Sequence, residues 1–117
     1  MYATKISQYR FVKGALSGQV QQIAYHYALN PDCSSEGPVS IETLVPPKNG
    51  IITFTPSEDY PSYRTDNIRS ACDKQKIPVT AINYQSNPGF VGTDTTRVEI
   101  LYPKGDYHVI DYTINVR

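Results

Sequence analysis

The sequence predicts an all-β fold, a sandwich of two facing antiparallel sheets, and three observations carry the prediction. Apolar and polar residues alternate over short runs, Gly and Pro interrupt those runs at near-regular intervals, and no stretch has the periodicity of a useful helix. Ten Tyr among 117 residues, with nine Pro, seven Gly and many Thr, Val and Ile, fit strands separated by turns. A parallel α/β sheet is excluded, because nothing between the runs could form its crossover helices.

The clearest strands lie in the C-terminal third. Residues 95–102 alternate Val98, Ile100 and Tyr102 against Arg97, Glu99 and Leu101. Residues 106–116 set Ile110, Tyr112, Ile114 and Val116 on one face, opposite Asp111, Thr113 and Asn115. These are half-buried antiparallel strands, and residues 103–106 are the hairpin turn between them. Residues 79–84 place Thr80, Ile82 and Tyr84 on one face and Val79 and Ala81 on the other.

Upstream, residues 39–45 read as a strand followed by Pro46-Pro47-Lys48-Asn49-Gly50. Asn-Gly tolerates positive φ at both central positions of a tight turn, so a hairpin to a return strand at 51–55, stopped by Pro56, is expected. Residues 19–29 form an earlier strand closed by Asn30-Pro31. The first eighteen residues are harder to read. Tyr9, Phe11 and Val12 suggest the start of a strand, whereas Gly14 and Ser17-Gly18 look like a linker. Residues 1–18 therefore read as an N-terminal extension, mobile or docked, ahead of a domain spanning 19–117.

Residues 57–78 show no alternation. Thr65 or Asp66 could cap one helical turn running to Cys72. A long irregular segment inside a small domain is usually functional or specially anchored. Cys72 is the anchor if it is bridged to Cys33. Both cysteines sit in polar, turn-rich stretches, which favours one disulfide; two buried free thiols are the competing reading. Closing a loop of about forty residues would contribute about 4 kcal/mol through lost chain entropy.

The most distinctive stretch is Asn87-Pro88-Gly89-Phe90-Val91-Gly92-Thr93-Asp94, which has the makings of a corner. Pro88-Gly89 turns the chain, Phe90 plugs the core, Gly92 takes a conformation closed to other residues, and Asp94 accepts backbone N–H bonds of the turn. With Pro47-Lys48-Asn49-Gly50 before it, then Tyr84, and Val98 after it, this stretch resembles the repeated modules of bacterial surface proteins called immunoglobulin-like or cadherin-like. The chain is also similar to small exported single-domain proteobacterial proteins with two cysteines around such a core. The resemblance covers about residues 33–117 and implies an immunoglobulin-like sandwich. It implies nothing specific about activity. Two features depart from the repeat pattern: the 57–78 insertion with its cysteine, and Thr95-Thr96-Arg97 where the repeats favour a more aromatic strand. A free-standing module fits better than one link of a long adhesin.

Charge and side-chain chemistry narrow the function classes. Eleven acidic and eleven basic residues cancel, so no basic excess draws the chain to nucleic acid. No apolar run is long enough for membrane insertion. Residues 1–13 lack the apolar core of a leader peptide, so a periplasmic or extracellular location implies a leader already removed. His26 and His108 both lie in predicted strands without a nucleophile motif, as surface or edge residues, and no enzyme is expected. Asp94, Asp106 and Asp111 are dispersed, where calcium wants six to eight converging oxygens; Asp94 reads as a turn cap, with no metal or cofactor.

What remains is a binding surface on the irregular segment, where Tyr60, Tyr63, Arg64 and Arg69 combine apolar area with polar reach. The bland alternative is a solvated loop pinned by its disulfide. The expected role is a non-catalytic exported binding or structural module, its partner a protein or surface glycan held on that loop or on a sheet edge. The alternative is a subunit of a larger surface assembly, with self-association through residues 2–12.

Overall fold

The computed structural model describes residues 6–117 and forms seven strands in them: β1 (Ile6–Ala15), β2 (Val20–His26), β3 (Ser40–Val45), β4 (Gly50–Asp59), β5 (Ile77–Ser86), β6 (Gly92–Leu101) and β7 (Tyr107–Val116). One short 3₁₀ helix, Ser70–Lys74, precedes β5. A four-stranded sheet, β1-β7-β6-β3, packs on a three-stranded sheet, β2-β5-β4. This is an immunoglobulin-type sandwich in which the first strand has joined the last one rather than the sheet of β2.

The C-terminal alternation becomes structure as read. β6 and β7 form a hairpin from Gly92↔Val116 to Leu101↔Tyr107, and Gly105 takes φ +97° in its turn. Val98, Ile100, Ile110, Tyr112, Ile114 and Val116 are all buried between the sheets, against Ile82 and Tyr84 of β5. β1 belongs to the segment read as an extension. It docks on β7 along its whole length, Ile6↔Tyr107 to Ala15↔Val116, and this pair is parallel while every other strand pair is antiparallel. No crossover helix is needed, because the two strands come from opposite ends of the described chain. Residues 1–5 lie outside the described residues.

The expected hairpin at 46–50 is not one. β3 pairs with β6 and β4 with β5, so the Asn49-Gly50 turn carries the chain from one sheet to the other. Neither residue takes positive φ. Glycine is required at 50 for another reason: a Cβ would stand 2.5 Å from the Gln85 carbonyl oxygen and 2.8 Å from the Tyr84 ring. Nor does Pro56 stop the return strand, which runs on to Asp59. β4 is an edge strand, and an edge tolerates the missing N–H of proline.

β5 buries both of its faces, in different places. Ile82 and Tyr84 point into the sandwich, whereas Ile77 and Val79 join Leu29 and Cys72 in a second apolar cluster on the outer face of the three-stranded sheet. Residues 60–76 cover that cluster. The disulfide Cys33–Cys72, with Cα atoms 5.5 Å apart, ties the cover to the turn after β2. The helical turn expected here is the 3₁₀ helix, but neither Thr65 nor Asp66 caps it. Its N-cap position is Arg69, with no side-chain cap, and the Asn67 Oδ1 accepts the Arg69 N–H instead.

Candidate functional site

Asp94 joins the two halves of the corner motif. Its buried carboxylate accepts the N–H groups of Lys48, Asn49 and Thr95 and the hydroxyl of Tyr84. Gly89 and Gly92 take φ +82° and +143° to turn the chain, and Phe90 packs part-buried against the core. Burial, and the hydrogen bond given to Asp94, push the Tyr84 phenol well above its ordinary range. With its acceptor sites occupied by the fold, Asp94 serves as a corner post.

The four residues singled out on the irregular segment do not form one site: Tyr63 and Arg69 share a hollow of about 280 Å³ with Glu36, Tyr102, Lys104 and Asp106, whereas Tyr60 and Arg64 are absent from it. Arg69 donates from Nε to the Leu29 carbonyl at 2.8 Å, and Tyr63 packs on the outer cluster while its N–H donates to the Asp73 carboxylate. Both hold the cover down. Tyr60 is exposed and receives the Tyr25 hydroxyl at its backbone carbonyl, with Lys76 Nζ 5.9 Å from its ring. Arg64 is fully in solvent beside Asp66. Tyr60 and Arg64 have side chains open to solvent, while Tyr63 and Arg69 present only the parts that line hollows.

A longer concave surface lies on the flank where β1 and β2 are both edge strands, where three hollows adjoin. Register fixes which β1 side chains face it. Tyr9 and Phe11 stand opposite Ile110 and Tyr112, which are buried, so they point to the inner side of their sheet. Four strands lie over three, and β1 extends past full cover. Tyr9 and Phe11 therefore remain 42% and 44% exposed although they face inward. Their rings rest on His108 at 5.1 Å and on Tyr112 at 6.1 Å between centroids.

Across from them, β2 has a bulge between Gln22 and Ala24 that turns both Ile23 and Ala24 towards the core. The result is a trench of three adjoining hollows. The central one, about 410 Å³, is bounded by Phe11, Lys13 and Tyr112 on one side and by Gln22, Ile23, Ala24, Tyr25 and His26 on the other. It shares Tyr25 and His26 with a second hollow of about 340 Å³, completed by Tyr27, Tyr63, Tyr102, Asp106 and His108. At the other end it shares Lys13 with a third, beside Gln21, Leu16 and Arg117.

His26 is at the centre of this flank. Read as a surface or edge residue, it sits on an edge strand but points between the sheets, its Nε2 3.5 Å from the Tyr112 hydroxyl and its Nδ1 3.4 Å from that of Tyr102. Burial, with a smaller contribution from His108, holds its imidazole down at about 4, so it is neutral at physiological pH. Burial also lowers His108 and pushes the Tyr102 phenol up to about 12. These rings present hydrogen-bonding tips on apolar bodies and no fixed charge, a surface suited to recognition. The sequence signal was Tyr25-His26-Tyr27 at the end of one strand and Tyr102 with His108 around one turn. Nothing in the pattern paired the two groups.

No family model, curated protein or solved structure matches the chain.

Proposed function

We propose that the protein is a non-catalytic binding module of the periplasm or cell exterior that holds its partner in the trench between β1 and β2. The observation that carries this reading is the inward-facing yet uncovered Tyr9 and Phe11 beside the ring-lined hollows. Isolated exposed apolar residues are ordinary on a protein surface; a continuous concave run of them with polar rims is the usual form of a binding site. A disulfide that closes an otherwise uncovered apolar cluster supports an oxidising compartment. The corner motif's likeness to bacterial surface modules supports the same location. Against catalysis stand the ring nitrogens of His26, which face two tyrosine hydroxyls rather than a nucleophile and a carboxylate.

Ligands captured from glycan and peptide arrays should be footprinted by amide hydrogen exchange on the disulfide-intact protein. Added protection is expected in β1 and β2. Protection confined to residues 60–76, or to the β3 and β4 edges, would remove the trench as the site.

A further inference from the structure

We infer that the trench is an acceptor slot for an extended strand of a partner protein, which pairs with the free edge of β2 and is walled by β1. The inference rests on the binding reading above and names the class of ligand. Among the described residues β2 has one neighbour, β5, so half of its backbone N–H and C=O groups point outwards beside the trench. The hollows follow β2 from Gln21 to His26, nearly the whole of a strand about 20 Å long at strand rise.

The sheet edges are not equally guarded against pairing. β4 carries Pro56, Glu58 and Asp59; β3 has only six residues and carries Glu42; β1 carries Arg10 and Lys13. Lysine, proline, inward charge, short length and bulges are the devices that keep edges from pairing, and the bulge is the one that β2 carries. β2 reads Val-Gln-Gln-Ile-Ala-Tyr-His, with no charged residue and no proline, and its bulge is the only irregularity. The least guarded edge lies beside an apolar hollow.

A strand laid on β2 would send alternate side chains inwards onto Phe11 and Tyr112. The others would face solvent. A peptide strand meets both the edge hydrogen bonds and the apolar wall by its pleat, at the same rise per residue as β2. Lys13 is the one charged side chain of the central hollow, with its Nζ 5.7 Å from the Phe11 ring and no ion pair to a described residue. Arg117 lines the adjoining hollow. The partner strand is therefore apolar at alternate positions and acidic at the end that meets Lys13.

A phage-displayed library of random peptides of about twelve residues, long enough to span β2, is selected on the disulfide-intact protein. Enriched peptides are then titrated into isotope-labelled protein. The expected peptides alternate apolar residues, carry an acid near one end and shift the amide resonances of β2. N-methylation of the amides that face β2 should weaken binding about ten-fold, the equivalent of one or two lost backbone hydrogen bonds. Lys13→Glu should weaken an acidic peptide several-fold and prefer its Glu→Lys counterpart, a reversal that misfolding cannot produce. Enriched peptides indifferent to N-methylation, or no enrichment at all, would overturn the strand slot. A glycan whose capture depends on Tyr9 and Phe11 would overturn the strand slot while leaving the binding reading intact. Ligands that map only to other surfaces would overturn both.

Discussion

Two surfaces of this small domain are rich in tyrosine, and they use it in opposite ways. On the cover formed by residues 60–76, Tyr63 is packed on Leu29, Ile77 and Val79, Arg69 is bonded to the Leu29 carbonyl, and Asp73 takes the Tyr63 N–H. On the β1–β2 flank, Tyr9 and Phe11 are held from behind by His108 and Tyr112 but remain open in front. Composition alone made the cover look like the binding surface. The lesson is that a Tyr- and Arg-rich stretch has surface to offer only where its side chains are not already committed to the fold.

The largest expected effect breaks the cover. Replacing Cys33 and Cys72 together by Ser should cost about 4 kcal/mol in denaturant unfolding, since the closed loop spans 39 residues. Hydrogen exchange should rise first in residues 60–79, while the β6–β7 ladder keeps its protection. Equal loss across all strands would mean that the outer cluster is not a separate layer.

Next comes the corner shared by both sheets. Asp94→Ala would leave the Tyr84 hydroxyl and the Lys48 and Asn49 N–H groups buried or part-buried without their acceptor, at a cost of about 3 kcal/mol. A midpoint change below about 1 kcal/mol would show that the corner survives without its carboxylate.

Acidification acts on the flank with a similar size. The folded imidazole of His26 sits at about 4 against 6.5 for the ordinary group, so the unfolded chain takes up the proton first. Stability is then complete above 6.5, falls by about 3 kcal/mol as the pH drops towards 4, and levels below that. His108, also lowered by burial, adds in the same direction. Thermal unfolding across this range should show the slope, and His26→Gln should flatten most of it. A variant with an unchanged slope would place the proton uptake elsewhere. The smallest effects separate two arginines of the cover: Arg69→Ala should cost about 1–2 kcal/mol by freeing the Leu29 carbonyl, and Arg64→Ala less than about 0.5 kcal/mol.

How much the sequence revealed depended on whether a residue's burial came from its own strand pattern. β6 and β7 are covered on one face only, so Val98, Ile100, Ile110 and Ile114 carry a plain period of two. β1 carries none, because its inner face is only partly covered and its outer face not at all; Tyr9, Phe11 and Val12 are all exposed. The Asn49-Gly50 misreading has a different cause. The dipeptide is the ordinary mark of a hairpin, but here glycine answers a contact with Tyr84 that lies thirty-odd residues away and is invisible to local reasoning. The trench was hidden for the same reason, since its walls on consecutive β1 and β2 are completed by Tyr102, His108 and Tyr112 from the far end of the chain. The disulfide and the corner were legible because their residue types have few other uses.

The contrast between the committed cover and the open flank is tested most directly by measuring ligand capture and thermal midpoint on two double variants. Tyr9→Ala with Phe11→Ala should lose capture while the protein stays folded at a modestly lowered midpoint, and Tyr60→Ala with Arg64→Ala should keep capture. Capture lost only in the second variant would return the binding surface to the cover and contradict the assignment of the flank.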